Sequence, residues 1–488
     1  MEATTAVVIE AIRGTYLWAL ILGICLSFLL GFGMGANDVA NAFGTSVGSK
    51  TLSLRQAYIL ATIFETLGSI LVGYKVTDAL RKEIVEVNIY KDDVTALFFG
   101  QIAILGGGAA WLIIATVLKA PVSTTHSVVG ATLGFTLVMK GMQGIHWSKV
   151  GSIAMSWIIS PCLSGIISSL LYILIDHTVL RRKDPVKCGL RALPVFYFVC
   201  IAFNVFAVLL DGSYLLNLEH LQWYITLSVS LALGLLSGLV FHFFLSSRLL
   251  NWINKTEEKK INAQMVNPAM IAEGLSTDVL EREPEKKNKK QKLKPTLRGF
   301  VFWFFPYQKQ EEDPRTLRLF SAIQVFTACF AGFAHGANDV SNSIAPLAAL
   351  IAIYDKQNEE LAMSSPTPLY VICFGIVSTC IGLWVLGHFV IRTVGQEMSQ
   401  INPASGFCIE FGAATTTLLA SKLGLPISTT HCLVGSVVSV GTVKARKNVD
   451  WAIFKNVALS WVITLPASAL ISAGIMYLIQ ITVLEPSK

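Results

Sequence analysis

Long apolar runs alternate with short polar breaks along almost the whole chain. They fall near 16–35, 57–76, 95–119, 122–139, 150–176, 192–211 and 221–246, and again near 317–335, 343–354, 368–394, 407–424, 426–444 and 452–483. Several approach the roughly 20 residues that a helix needs to cross a bilayer, and others, such as 343–354, fall short. The pattern predicts an all-α polytopic membrane protein, because a helix satisfies its own backbone where no water is available. One stretch breaks it. Residues 248–316 carry Glu257-Glu258-Lys259-Lys260 and Glu283-Pro284-Glu285-Lys286-Lys287-Asn288-Lys289-Lys290. Low hydrophobicity and dense charge predict a mostly disordered linker, with Trp303-Phe304-Phe305-Pro306 lying against the membrane surface. The chain thus divides into an N-terminal membrane half, 1–247, the linker, 248–316, and a C-terminal membrane half, 317–488. The first run leads into polar sequence without a small-residue cleavage site, so it reads as the first membrane helix and not as a cleaved signal.

Composition agrees. The chain is 53% hydrophobic and 14% charged, against about 25% charged in a soluble domain. The formal charge of +7 is no nucleic-acid signal, since the basic residues sit in short loops and the linker, as in cytosolic loops. The nine cysteines show no metal or CxxC spacing and read as buried free thiols. No catalytic triad, phosphate-binding loop or dinucleotide fingerprint is present, so no enzymatic role is expected.

The basic loop Arg181-Arg182-Lys183 through Lys187 and Arg191, like the linker, is expected in the cytosol. Five crossings before that loop put the N-terminus outside, and the C-terminus is likewise expected outside. The sequon Asn254-Lys255-Thr256 in the cytosolic linker is then unglycosylated.

Two polar motifs recur inside the apolar sequence. Gly35-Ala36-Asn37-Asp38-Val39-Ala40-Asn41-Ala42 returns as Gly336-Ala337-Asn338-Asp339-Val340-Ser341-Asn342-Ser343, and Pro121-Val122-Ser123-Thr124-Thr125-His126 returns as Pro426-Ile427-Ser428-Thr429-Thr430-His431. The offsets, 339 − 38 = 301 and 428 − 123 = 305, show an internal duplication. An odd number of crossings (counted as seven) separates the two repeat starts, so the repeats run in opposite directions, an arrangement typical of secondary transporters.

Each Pro-x-Ser-Thr-Thr-His motif reads as a helix that begins inside the membrane, with proline in the first turn and Ser or Thr as cap. Its free N–H groups and hydroxyls attract an anion, and two such starts could enclose a tetrahedral oxyanion. A proline kink satisfied by Ser and Thr is the alternative. In the other motif Asp38, Asp339, Asn37, Asn41, Asn338 and Asn342 offer hard oxygens suited to a small cation such as Na⁺, or else form a polar packing seam. Its small residues permit close backbone approach or an unwound turn. Glu65 and Glu410 add carboxylates within apolar segments, where a locally paired acid is the plainer reading. His126 and His431 are either pH-sensing groups or ordinary hydrogen-bonded histidines. The four motifs hold two Asp and no Lys or Arg, so an oxyanion bound there needs cations or protons beside it. Cation-coupled anion uptake follows as the expectation.

Together the motifs closely resemble those of the inorganic phosphate transporter (PiT) family, the type III sodium–phosphate cotransporters. The resemblance covers both membrane halves. It implies about 12 spans in two inverted repeats with discontinuous or re-entrant helices, a homodimer in the plasma membrane, and phosphate uptake driven by Na⁺ with no other cofactor. An H⁺-coupled phosphate carrier or a carrier of another oxyanion is the alternative. By position, Ser123, Thr124, Thr125, Ser428, Thr429 and Thr430, with Asn37 and Asn338, match the phosphate site. Asp38, Asn41, Asp339, Asn342, Glu65 and Glu410 match the cation-coupling set. Gln101 departs from the family, whose animal members commonly carry Glu there, which bears on the choice of cation.

Overall fold

The computed structural model describes residues 14–83, 87–90, 93–211, 221–266, 296, 300, 303–306, 312–356, 367–422, 427–444 and 449–485. Repeat 1 is built from α1 (Leu17–Gly48), α2 (Leu54–Glu83), α3 (Val94–Val117), α4 (Thr124–Lys140) and α5 (Trp147–Ile175). Then follow α6 (Pro185–Asp211), α7 (Trp223–Val240), α8 (Ser246–Val266) and the short α9 (Pro314–Leu319). Repeat 2 comprises α10 (Ser321–Asn338), α11 (Val340–Lys356), α12 (Leu369–Arg392), α13 (Pro403–Lys422), α14 (Thr429–Lys444) and α15 (Trp451–Ile479). Eight helices among the described residues are long and apolar enough to cross a membrane. The shorter or more polar α4, α10, α11 and α14 carry residues of three motifs, and the first Asn-Asp motif lies in α1.

The linker is more ordered at its start than its charge suggests. α8 runs unbroken from Ser246 to Val266, so the helix continues some way past position 248. The Lys-rich run 283–290 and Pro426 lie outside the described residues. The first Asn-Asp motif does not unwind, and α1 continues through it to Gly48. The second is interrupted at Asp339, between α10 and α11. Further along, Pro346 stands where the first copy has Thr45 (346 − 45 = 301), removing another intrahelical bond.

The duplication is visible in the packing. α1 lies along α12 as α10 lies along α2, and α4 packs on α15 as α14 packs on α5. Small residues make these crossings close. A Cβ on Gly35 would fall 1.9 Å from the Thr379 carbonyl oxygen and one on Gly382 the same 1.9 Å from that of Phe32. The other crossing repeats this: Gly68 would meet the Phe333 oxygen at 1.9 Å and Gly336 the Glu65 oxygen at 2.1 Å. Backbones this near leave no room for a methyl group, the use of small residues expected where apolar burial gives helices no reason to associate in lipid.

α3 and α4 form one antiparallel hairpin, closed by Lys140 against Asp93 at 3.4 Å. α13 and α14 form the other, and Asn402 and Lys444 at its two ends share one partner, Glu312. The tips meet, with the rings of His126 and His431 5.0 Å apart. The bases lie at opposite ends of α5, because α5 starts just after α4 ends while Tyr172, near its last turn, reaches Glu312. With 29 residues, α5 is about 43 Å long. Since α3 and α4 run in opposite directions, they add either two crossings or none.

Candidate functional site

The tips of the two hairpins bring the four motifs to one place. Ser123 and Ser428 each cap a helix, accepting from the N–H of His126 and His431 at 3.4 Å. This is the cap expected from Ser before a helical run. Thr124 donates to Asp38 Oδ2 at 2.5 Å, and Thr429 donates to Asp339 Oδ2 at 3.2 Å. The Asn residues cross between repeats. Asn41 donates to Asp38 at 3.3 Å and to Thr430 of the other hairpin at 2.9 Å. Asn342 donates to Asp339 at 3.4 Å and to Thr125 at 3.1 Å. A pseudo-twofold relation thus links each repeat's acid to the other repeat's hydroxyls.

Asn37 has different work. Its Nδ2 donates to the Ala120 carbonyl at 2.9 Å and to Thr116 at 3.1 Å, while its Oδ1 accepts from Val122 N–H at 3.0 Å. It braces the non-helical turn between α3 and α4, where backbone groups lack helical partners. Asn338 instead lines a cavity of about 40 Å³ together with Asn41, His335, Glu410 and Thr429.

The acids have contrasting surroundings. Glu410 is 1% exposed and takes four donors. Oε1 accepts from Thr45 at 2.5 Å, Ser46 at 2.7 Å and Gln324 at 3.3 Å, and Oε2 accepts from Thr327 at 2.6 Å. Glu65 receives no hydrogen bond on either carboxylate oxygen. Its nearest ionisable partner is His335, whose Nδ1 lies 3.3 Å from Oε1. Nε2 of the same ring is 3.4 Å from Asp339 and 3.7 Å from Asp38. One imidazole therefore stands among three carboxylates, two from repeat 1 and one from repeat 2. Asn41 Oδ1 and Asn342 Oδ1 are likewise buried without a donor. Buried acceptors are nearly always satisfied in folded proteins, so these bare oxygens are what a hard cation such as Na⁺ takes as ligands. No lysine or arginine forms an ion pair with the four acids among the described residues.

His335 and the Glu410 donors are missed by reasoning from repeats. Met34 occupies the position equivalent to His335 (335 − 34 = 301), and Leu26 that of Thr327 (327 − 26 = 301). Reading what recurs discards what occurs once. The available signal was a histidine four residues before an intramembrane aspartate, one helical turn away. Gln101 is buried within α3.

The chain is similar to known proteins over nearly its whole length. A model described as the phosphate transporter family matches residues 34–472. The chain is similar to sodium-dependent phosphate transporter 1-A of Danio rerio, with 33% identity over 99% of this chain and 100% of the relative. It is similar also to sodium-dependent phosphate transporter 2 of Felis catus, with 33% identity over 96% of this chain and 99% of that protein. A solved structure titled as the sodium-dependent phosphate transporter superposes with a TM-score of 0.73 and 30% identity, covering 95% of this chain and 99% of its own. The doubled motifs, the paired hairpins and these matches over nearly the whole length make the chain a member of the phosphate transporter family.

Proposed function

We propose that the protein imports inorganic phosphate together with Na⁺ by alternating access. The observation that carries this reading is the set of buried oxygens without donors: Glu65, Asn41 Oδ1 and Asn342 Oδ1 beside Asp38 and Asp339. Cations bind first among these oxygens, because three buried acids around one imidazole repel an anion. Phosphate then docks at the tips of the hairpins, on Thr124, Thr125, Thr429 and Thr430 and the helix starts that Ser123 and Ser428 cap, with Asn338 at the cavity wall. Asn37 keeps the first tip in shape. Glu410, with its Thr45, Ser46, Gln324 and Thr327 donors, forms a second cation position, since those four oxygen-bearing side chains can rotate from donating to the carboxylate to coordinating beside it.

The hairpins then expose the site to one side or the other. Tips that meet while the bases lie at opposite ends of α5 favour inverted repeats, with both termini extracellular and the linker cytosolic. Placement in the plasma membrane and assembly as a homodimer follow from the family likeness. Sulfate and other oxyanions are the competitors, and H⁺ is the alternative coupling ion.

Radiolabelled phosphate uptake into proteoliposomes, under an inward Na⁺ gradient or an equal choline gradient at two pH values, tests this. Accumulation with Na⁺ alone supports the proposal. Accumulation driven only by external acid reassigns the coupling ion, and folded protein inert under both gradients refutes phosphate import.

A further inference from the structure

Both hairpins end their second helix on a lysine, and the two lysines are held differently. Lys140 pairs at 3.4 Å with Asp93, in the same hairpin, and its ammonium lies 5.2 Å from the centre of the Tyr90 ring. The second hairpin has no acid in the residues that lead into α13, where 398–403 read Met-Ser-Gln-Ile-Asn-Pro. Lys444 is met instead by Glu312 Oε2 at 3.3 Å. Glu312 belongs to neither repeat. It lies at the end of the linker, immediately before Asp313, which caps α9 through the Arg315 N–H at 3.0 Å.

Glu312 holds more than Lys444. Its Oε2 also accepts from Asn402 Nδ2 at 2.5 Å, and its Oε1 accepts from the Tyr172 hydroxyl at 3.2 Å. Tyr172 is on α5, the long helix of the other repeat, and is 2% exposed. One carboxylate thus joins both ends of the α13–α14 hairpin to α5 and to the linker. The returning linker is pinned to the same end of α5 a second time. Arg181 Nη1 donates to the Trp303 carbonyl at 2.6 Å, and His177 Nε2 lies 3.1 Å from the Phe304 carbonyl oxygen. Arg181 itself pairs with Asp176.

We propose that Glu312 is a cytosolic tie. In the state seen here it fastens the base of the α13–α14 hairpin to α5, and it releases each time that hairpin moves to open the site inward. The linker then governs the cytosolic exit through this one residue, whereas the opposite hairpin closes its base with its own Asp93. The side chains of Lys444 and Glu312 keep 17% and 24% exposure, so both groups reach the surface and can be solvated when the contact parts. That suits a contact made and broken in every cycle. The proposal rests on the transport reading above.

Full-length protein carrying Glu312→Cys and Asn402→Cys, bridged after folding by a short bis-methanethiosulfonate that joins the two thiols through reducible disulfides with loss of methanesulfinate, tests the tie in proteoliposomes. Uptake is expected to fall at least tenfold on bridging and to return on reduction, while Na⁺-dependent phosphate binding persists. Each single variant given the same reagent should keep its uptake. Bridged protein that transports at the unbridged rate overturns the tie. Loss of phosphate binding together with transport also overturns it, in favour of a distorted site. Na⁺-dependent binding by the untreated protein reports separately on the transport reading.

Discussion

Removing the charge of Glu410 separates its part in coupling from its part in holding the core. Glu410→Gln keeps the shape. Its amide oxygen can take the Oε1 position and accept from Thr45, Ser46 and Gln324, and its NH₂ then faces Thr327. Thr327 can accept that contact, because its hydroxyl hydrogen has a second acceptor in the Gln324 carbonyl at 2.9 Å. The hydrogen bonds are conserved, so stability should stay within about 1 kcal/mol of the parent. Glu410→Ala is different. Thr45 and Ser46 can turn back to their own helix and Thr327 has its fallback, but the Gln324 amide loses this carboxylate partner. Leaving one buried donor unsatisfied costs about 1–3 kcal/mol, and the unfilled volume adds about 1 kcal/mol, giving roughly 2–4 kcal/mol. Unfolding of the detergent-solubilised variants should therefore rank Ala well below Gln, with Gln close to the parent. In proteoliposomes both should lose Na⁺-driven phosphate uptake by at least tenfold. A Gln variant that transports with the parent's Na⁺ dependence refutes a coupling role for this charge. One that unfolds as early as Ala refutes the account of the cage.

The remaining predictions concern single contacts. Gly382→Ala puts a methyl group against the Phe32 carbonyl and should sharply reduce folded protein, whereas Gly474→Ala, with nothing within 4 Å, should express normally; equal yields on size-exclusion chromatography would remove the close α1–α12 crossing. His335→Gln leaves Glu65, Asp38 and Asp339 without their shared imidazole. It should cut uptake at least tenfold at unchanged yield, and parental uptake would show that the ring is a bystander. Asn41→Ala and Thr430→Ala remove two sides of one contact, so the double variant should lose little more uptake than either single one. Losses that multiply would mean that the two side chains act independently. Asn37→Ala frees the turn before α4 and should weaken phosphate binding more than Na⁺ binding, as read by isotope titration.

Much of the architecture was legible in the chain because bilayer physics leaves so few options. Apolar runs of spanning length can only be helices, and a motif recurring at a fixed offset announces a repeat whatever its contacts. Proline and serine before Thr-Thr-His gave helix starts at Thr124 and Thr429, and both appear. Charge in the linker suggested disorder from position 248, yet α8 continues to Val266: Lys255 with Glu258 and Glu257 with Lys260 stand three residues apart, a spacing that supports a helix. The two Asn-Asp motifs read alike but fold differently: the first continues helical through Asp38, and the second breaks at Asp339.

The sequence by itself determined the helical class, the duplication and the residue types of the site, since hydropathy, offset and capping are local properties. Only the tertiary structure decided which partners meet. Asn41 reaches Thr430 and Asn342 reaches Thr125 because the hairpins approach tip to tip. His335 gathers Glu65, Asp38 and Asp339 because α2 and α10 cross where glycines let their backbones touch. Glu312 finds Lys444 and Asn402 across more than eighty intervening residues, 402 − 312 = 90. Contacts between positions so far apart depend on how helices pack, and no local pattern along the chain encodes that.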